Sequence, residues 1–391
     1  MNKRISAIMP MPPRDPHQAH RAATPLELLF DLVTVIAIAS AAAALHHSIA
    51  EGHALAGVPR YLMCFFAIWW AWMNFTWFAS AYDNDDALYR ILTMVMMAGA
   101  LLIAAGIERF FSELDISLVV GGYVLMRLGL VPLWLRAAYH DPQRRVTTLR
   151  YAGGIVLVQA YWIGIGLLGA PASPVFGGLV LTGFILELAV PAFAEAALPT
   201  PWHRHHIIER YGLLTIIVLG EILLGGMLAL QAAWSHSFDM RLVHIALSAL
   251  VITFAMWWLY FSCEEHLQSN RLHHALQWGY GHILVFAAGA AVGAGFGVLI
   301  DIVTGHAHIA IRSGDLAVAL PLCAYMLGLW FVRDRLVLRG AVRWVLPVAA
   351  IIIAGLPFVF AALEAIAALL VLAVFTRSML HASQVRNHDK P

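Results

Sequence analysis

Hydrophobic residues run through this chain in long unbroken stretches. Twelve stretches, at about 25–46, 59–81, 87–107, 116–138, 148–170, 174–196, 207–230, 241–263, 274–300, 315–333, 342–360 and 361–380, are long enough to cross a bilayer, which takes about 20 apolar residues. A transmembrane β-barrel would alternate polar and apolar positions, and these stretches do not. The expected element is the α-helix, which satisfies its own backbone in lipid. The pattern predicts an all-α fold, a polytopic transmembrane helix bundle of about twelve spans. The last two stretches are split only by Gly355, Pro357 and a short Phe–Ala–Ala turn, so they read equally as two spans or as one broken hairpin.

Composition strengthens this reading. Of the 391 residues, 61% are hydrophobic and 12% charged, against roughly 25% charged in soluble domains. A net charge of +1 offers nothing to nucleic acid. The three cysteines, Cys64, Cys263 and Cys323, lack CxxC spacing, so no disulfide framework, zinc site or cofactor is expected. The polar, Pro-rich first 20 residues contain no apolar core of a signal peptide, so the first span is expected to direct insertion. With the N-terminus in the cytoplasm, 18 of the 24 Lys and Arg fall on the inside and 4 (Arg60, Arg109, Arg241, Arg312) outside. This bias predicts that both termini are cytoplasmic. The lipid bilayer is its one evident partner, and the sequence carries no oligomer signal.

The chain reads as duplicated. Phe66-Ala67-Ile68-Trp69-Trp70 matches Phe254-Ala255-Met256-Trp257-Trp258, and Ala87-Leu88 matches Ala275-Leu276 at the same offset. Each double-Trp span ends in acids, Asp83, Asp85 and Asp86 in one case and Glu264 and Glu265 in the other; Glu27 corresponds to Glu209, and Tyr123 and Tyr325 sit alike in spans 4 and 10. The expected organisation is a cytoplasmic tail (1–24), two parallel six-helix repeats (25–200 and 201–380) and a second tail (381–391). An even number of spans per repeat makes the halves parallel, as in major-facilitator transporters.

Charge inside an apolar helix is costly and needs a reason. Glu27 and Asp31 are four residues apart in span 1 and share a helix face. Two carboxylates so close in low dielectric do not both ionise easily without a cation. Arg210, which opens span 7 beside Glu209, is the candidate cation, since arginine clamps carboxylates in two-pronged fashion. Glu221 lies about 18 Å beyond Glu209 along the same helix, flanked by Gly220, Gly225 and Gly226. These five residues form the candidate proton or solute site. The plain alternative is a structural ion pair, with acids favoured at a helix start. Asn74, Arg127, Glu187 and His282 are further in-span polar residues. Arg127 and Glu187 have the charges to pair, though sequence does not place them together, and a lone buried His is more often a satisfied hydrogen-bonder than a switch. Trp69, Trp70, Trp72, Trp257 and Trp258 read as packing residues. Nineteen histidines, including His203, His205 and His206, form no metal-ligand pattern, and no nucleotide loop or nucleophile elbow is present.

Two stretches resemble signatures of the bacterial low temperature requirement A family. Its E-L-F-F-D-L-V-F-V stands here as Glu27-Leu-Leu-Phe30-Asp31-Leu-Val-Thr34-Val35, and its E-R-F-G-L-x-T-I-I-V-L-G-E as Glu209-Arg210-Tyr211-Gly212-Leu-Leu-Thr215-Ile-Ile-Val-Leu-Gly220-Glu221. Leu29, Thr34 and Tyr211 replace aromatics; the charged positions are kept. The resemblance covers about 20 to 380 and implies a multi-pass inner-membrane protein linked by name to growth in the cold. It names no reaction. The leading expectation is a transporter or permease, with proton coupling as one form of it, moving an unknown small solute or the proton itself. The alternatives are a membrane-embedded enzyme or lipid-related accessory protein, and a structural or sensory membrane protein.

Overall fold

The computed structural model describes residues 8–19, 21–168, 174–235, 239–262, 267 and 271–388. The described residues contain no strand and fold into twelve helices long and apolar enough to cross a membrane. They are α1 (Pro25–Ala50), α2 (Ala54–Tyr82), α3 (Ala87–Glu113), α4 (Ser117–His140), α5 (Arg145–Leu168), α6 (Pro174–Glu195), α7 (Arg204–Ser235), α8 (Met240–Phe261), α9 (Leu272–Thr304), α10 (Ile311–Leu329), α11 (Val345–Gly355, of membrane length only with the 3-10 turns on either side, Gly340–Phe358) and α12 (Leu363–His388). A π turn (Trp330–Asp334) and one further turn extend α10, and a 3-10 turn (Gly340–Trp344) leads into α11. The ambiguous last pair is therefore two helices, parted where Leu356–Phe358 tightens to a 3-10 turn around Pro357. Cys263, Glu264 and Glu265 lie outside the described residues, as do Lys3, Arg4 and Lys390.

The chain divides into two compact units. One falls within Met1–Ala41 and Met63–Tyr211, the other within Ala42–Leu62 and Gly212–Pro391. The sequence puts the boundary near 200. The units divide about three turns of helix later, and the second also takes in the end of α1 and the start of α2.

In the first unit α3 and α4 lie backbone to backbone. A Cβ added to Gly99 would meet the Gly122 carbonyl at 2.6 Å, and one added to Gly122 would meet the Gly99 carbonyl at 2.6 Å, the close approach that small residues allow in membranes. Asp86 caps α3, accepting from the Tyr89 amide at 2.8 Å, and pairs with Arg136 of α4. Burial works to raise the Asp86 carboxyl, but Arg136 and the Tyr89 and Met9 amides hold it below its ordinary value. The expected N-terminal tail is in part fixed structure: Arg14 donates its amide to the Ala81 carbonyl, and Arg21 donates to the carbonyls of Ala79 and Ser80. These carbonyls lie in the last turn of α2, where helical partners run out; Ala79 also accepts from the Asp83 amide at 3.1 Å. Trp69, Trp70 and Trp72 of α2 are fully buried.

In the second unit α9 packs Gly295 against the Ala317 backbone of α10. The core gathers Ile222 of α7, Ile252 and Met256 of α8, Val292 and Phe296 of α9, and Leu322 of α10. Trp257 and Trp258 differ from their counterparts in the first unit: they are 48% and 53% exposed. The tyrosines behave alike, Tyr123 donating to the Ala67 carbonyl of α2 and Tyr325 to the Met256 carbonyl of α8 at 2.9 Å.

Candidate functional site: a buried acid–arginine cluster

Thr24 and Glu27 form a capping box at the start of α1. The Thr24 amide donates to Glu27 Oε2 at 2.8 Å and the Glu27 amide to Thr24 Oγ1 at 3.3 Å. Glu27 is thus a helix-start residue. It is also fully buried, and its second oxygen faces α7: Arg210 Nη1 and His206 Nε2 both lie 3.0 Å from Oε1. Asp31, one turn further on the same face, receives Arg210 Nη2 at 2.5 Å and the Trp72 indole N–H at 2.6 Å, both on Oδ1. Arg210 therefore bridges the two acids instead of clamping one. Its guanidinium also lies 6.0 Å from the Trp72 ring, within cation–π range. Tyr211, beside it, accepts from the Trp77 indole at 3.1 Å.

Charge balance defines what this cluster can do. Two carboxylates face one guanidinium, with a histidine against Glu27. Glu27, Asp31, His206 and Arg210 are all fully buried, where uncompensated charge is expensive. The group is neutral when it holds one extra proton, on a carboxyl or on His206. Asp31 Oδ2 is buried and takes no hydrogen bond, so one acceptor position is open.

Of the residues singled out in the sequence, Glu27, Asp31 and Arg210 are brought together. Glu209 is exposed, because neighbours on a helix point about 100° apart and only one of the Glu209–Arg210 pair can face inward. Glu221 is half-buried, in the part of α7 that belongs to the second unit. Arg127 does reach Glu187, with Nη2 at 3.0 and 2.9 Å from its two oxygens, and the Trp70 indole donates to Glu187 Oε2 at 2.8 Å. Asn74 bonds back to the Trp70 carbonyl at 2.7 Å. His282 donates from Nδ1 to the Trp278 carbonyl at 2.8 Å and accepts from Tyr260 at 3.3 Å, a satisfied core histidine.

Sequence reading missed two members of the cluster. His206 was legible in principle, four residues before Arg210 and so on its face; the crowd of histidines around it hid it. Trp72 gave no signal, since an indole that donates to an acid looks in sequence like one that merely packs. Beneath the cluster sits Asp83, buried, with Arg21 Nη2 at 4.0 Å. Burial and the nearby Glu27 charge push its carboxyl up to about 6 against the pull of Arg21.

A helical bundle with buried ionic groups and twelve membrane-length helices is a polytopic integral membrane protein. Comparison with known proteins takes this further. The profile described as "Bacterial low temperature requirement A protein (LtrA)" matches residues 22–379, and the chain belongs to that family. It is 26% identical over 245 residues to a protein of Rhizobium meliloti (strain 1021) described as "Uncharacterized protein RA0937". That match covers 60% of this chain and 57% of the relative's length. No solved structure matches the chain significantly.

Proposed function

We propose that this chain is a transporter or permease of the bacterial inner membrane that couples movement of a small solute to the proton, or moves the proton alone. The reading is carried by one observation: Glu27 and Asp31 share a single arginine, fully buried, with one carboxylate oxygen left open. A purely structural pair would match charges one to one, because each unmatched buried charge costs several kcal/mol. A group that is neutral in one protonation state and charged in the other binds and releases a proton with the conformation around it. In this reading Arg210 holds both acids in place, Asp31 Oδ2 takes the proton, and His206 relays it at the Glu27 end. The half-buried Glu221 would serve as a further acidic station on α7. The matching tyrosine bonds of α4 and α10 support a duplicated bundle, and the loop charges support cytoplasmic termini.

The test is proton flux into vesicles holding the reconstituted full-length protein, read by an entrapped pH dye, with and without a panel of solutes. Asp31→Asn is expected to lower flux at least about tenfold, while the thermal transition in detergent shows that the variant is folded. Wild-type vesicles no leakier than empty ones under every solute gradient would sink the proposal. So would an Asp31→Asn variant that conducts as well as wild type.

A further inference from the structure

A second feature of the first unit lies outside this cluster. A partly open pocket, whose empty space runs out into its mouth, sits between α2, α3, α4, α5 and α6. Its walls are aromatic and aliphatic, with Phe66, Tyr123, Trp162 and Phe184 prominent; Ala67 and Glu187 also line it, and Glu187 is the one charged residue among the lining. Phe66, Trp162 and Phe184 are half-buried, while Ala67, Tyr123 and Glu187 are buried. The Phe66 and Phe184 rings pack against each other at 4.3 Å.

Glu187 sets the chemistry of the occupant. Its Oε2 accepts from both Trp70 and Arg127, and its Oε1 from Arg127 alone. A carboxylate oxygen accepts about two bonds, so Oε1 has one acceptor position to spare. Tyr123 cannot compete for a ligand's acceptor, because its hydroxyl donates to the Ala67 carbonyl. Arg127 is not among the lining residues, and its Nη2 pairs with Glu187 and neutralises it, so the pocket has no net pull on a cation. An anionic head would meet a carboxylate. We propose that this pocket binds a membrane-partitioning molecule with an apolar body and a single terminal hydrogen-bond donor, a lipophilic alcohol, whose donor is accepted by Glu187 Oε1. The apolar body lies between Phe66, Trp162 and Phe184. The Arg127–Glu187–Trp70 network is then the fixed, pre-organised end of a binding site, as well as a helix staple between α4 and α6.

Photolabelling tests this without reference to proton flux, so it stands or falls separately from the transport reading. The full-length protein in detergent is irradiated with a diazirine-bearing octanol, and adducts are mapped by mass spectrometry. Saturable adducts are expected on the peptides carrying Phe66, Tyr123 and Phe184, competed by 1-octanol. Methyl heptyl ether, of similar length but without a donor, is expected to compete about tenfold more weakly, the loss of one hydrogen bond to a charged acceptor. Ala67→Phe, which fills the pocket, is expected to cut labelling there about tenfold; Val180→Trp fills it from the opposite wall should Ala67→Phe fail to fold. Labelling that never saturates and spreads evenly over lipid-facing helices would overturn the proposal. An ether that competes as well as the alcohol would overturn it too, as would full labelling of a folded, filled variant.

Discussion

Each unit buries a cluster of arginine and acid, and the two are built to opposite balances. In the first, two acids share Arg210. In the second, Asp334 is shared by two arginines: Arg333 Nε lies 2.7 Å from Oδ1, and Arg377 reaches Oδ2 at 2.8 Å and Oδ1 at 2.9 Å. The surplus differs as much as the sign. Arg333 spends Nη1 on the carbonyls of Leu259 and Tyr260, at 2.7 and 2.9 Å, and Arg377 donates to Ser262 Oγ at 2.6 Å. Those groups end α8, where backbone acceptors have no helical partner. The extra positive charge of the second cluster is thus absorbed by the negative end of a helix. In the first cluster Glu27 has a partial sink of this kind, the amide end of α1, but Asp31 lies a turn further in, shares Arg210 with Glu27 and leaves Oδ2 unbonded, where a proton would balance its charge. Similar residues make a fixed staple in one unit and, under the proposed function, a titratable group in the other.

The sharpest way to break this contrast is to remove the acid from each. Asp334→Leu leaves two buried guanidinium groups without their carboxylate, and is expected to destabilise by about 3–5 kcal/mol, read as a large fall in the detergent melting temperature. Asp31→Asn leaves Arg210 its Glu27 contact and keeps an acceptor for Trp72, so the expected cost is about 1–2 kcal/mol. Equal losses would show that both clusters are staples and that the charge imbalance of the first has no special meaning.

The second-largest effect concerns Asp83, below the first cluster. Its carboxyl, pushed up to about 6 by burial and by Glu27, holds its proton in the folded state after an ordinary aspartate, near 3.9, has lost it in the unfolded chain. The folded state therefore binds more protons between these two values. Stability falls as pH rises from about 4 through 6 and is level above. Asp83→Asn removes that fall. The variant is expected to match wild type near pH 4 and to be more stable by about 3 kcal/mol at pH 7, which melting curves at the two pH values would measure. A variant less stable at pH 7 would mean that the Arg21 attraction outweighs burial.

How far the sequence carried can be read from single residues. Span positions were legible because a run of some 20 apolar residues has few other uses, and the helices begin and end within a turn or two of the apolar limits. Glu27, Asp31 and Arg210 were legible because a charge in an apolar helix advertises its cost. In sequence, the partnership of Asp31 and Arg210 across 179 positions rests on charge sign alone, which carries no bridging geometry. The cluster in the second unit escaped notice for a physical reason: Arg333 and Arg377 lie at the ends of apolar stretches, where a buried arginine and a membrane-surface arginine have the same sequence context. The Trp pairs carry the same lesson. Trp69-Trp70 and Trp257-Trp258 are identical in sequence, yet the first pair is buried and the second half-exposed. A local motif does not determine which neighbours a helix packs against.

The smallest expected effect is the most discriminating for the site as drawn. Glu209 opens the longer motif beside Arg210, and by sequence the two have equal claim to the cluster. In the structure Glu209 is exposed, while Arg210 bridges Glu27 and Asp31. An exposed glutamate at the first turns of a helix contributes at most a few tenths of a kcal/mol through the helix dipole, and surface substitutions of this kind stay within about 0.5 kcal/mol. Glu209→Gln is therefore expected to leave both melting temperature and vesicle proton flux unchanged, although the isosteric change removes a charge next to Arg210. Arg210→Gln, one residue on, is expected to abolish flux and to destabilise, because it leaves two buried carboxylates facing each other. If the two variants behaved alike, α7 would have to be rotated by about one residue, and the cluster would be Glu209 with a different partner.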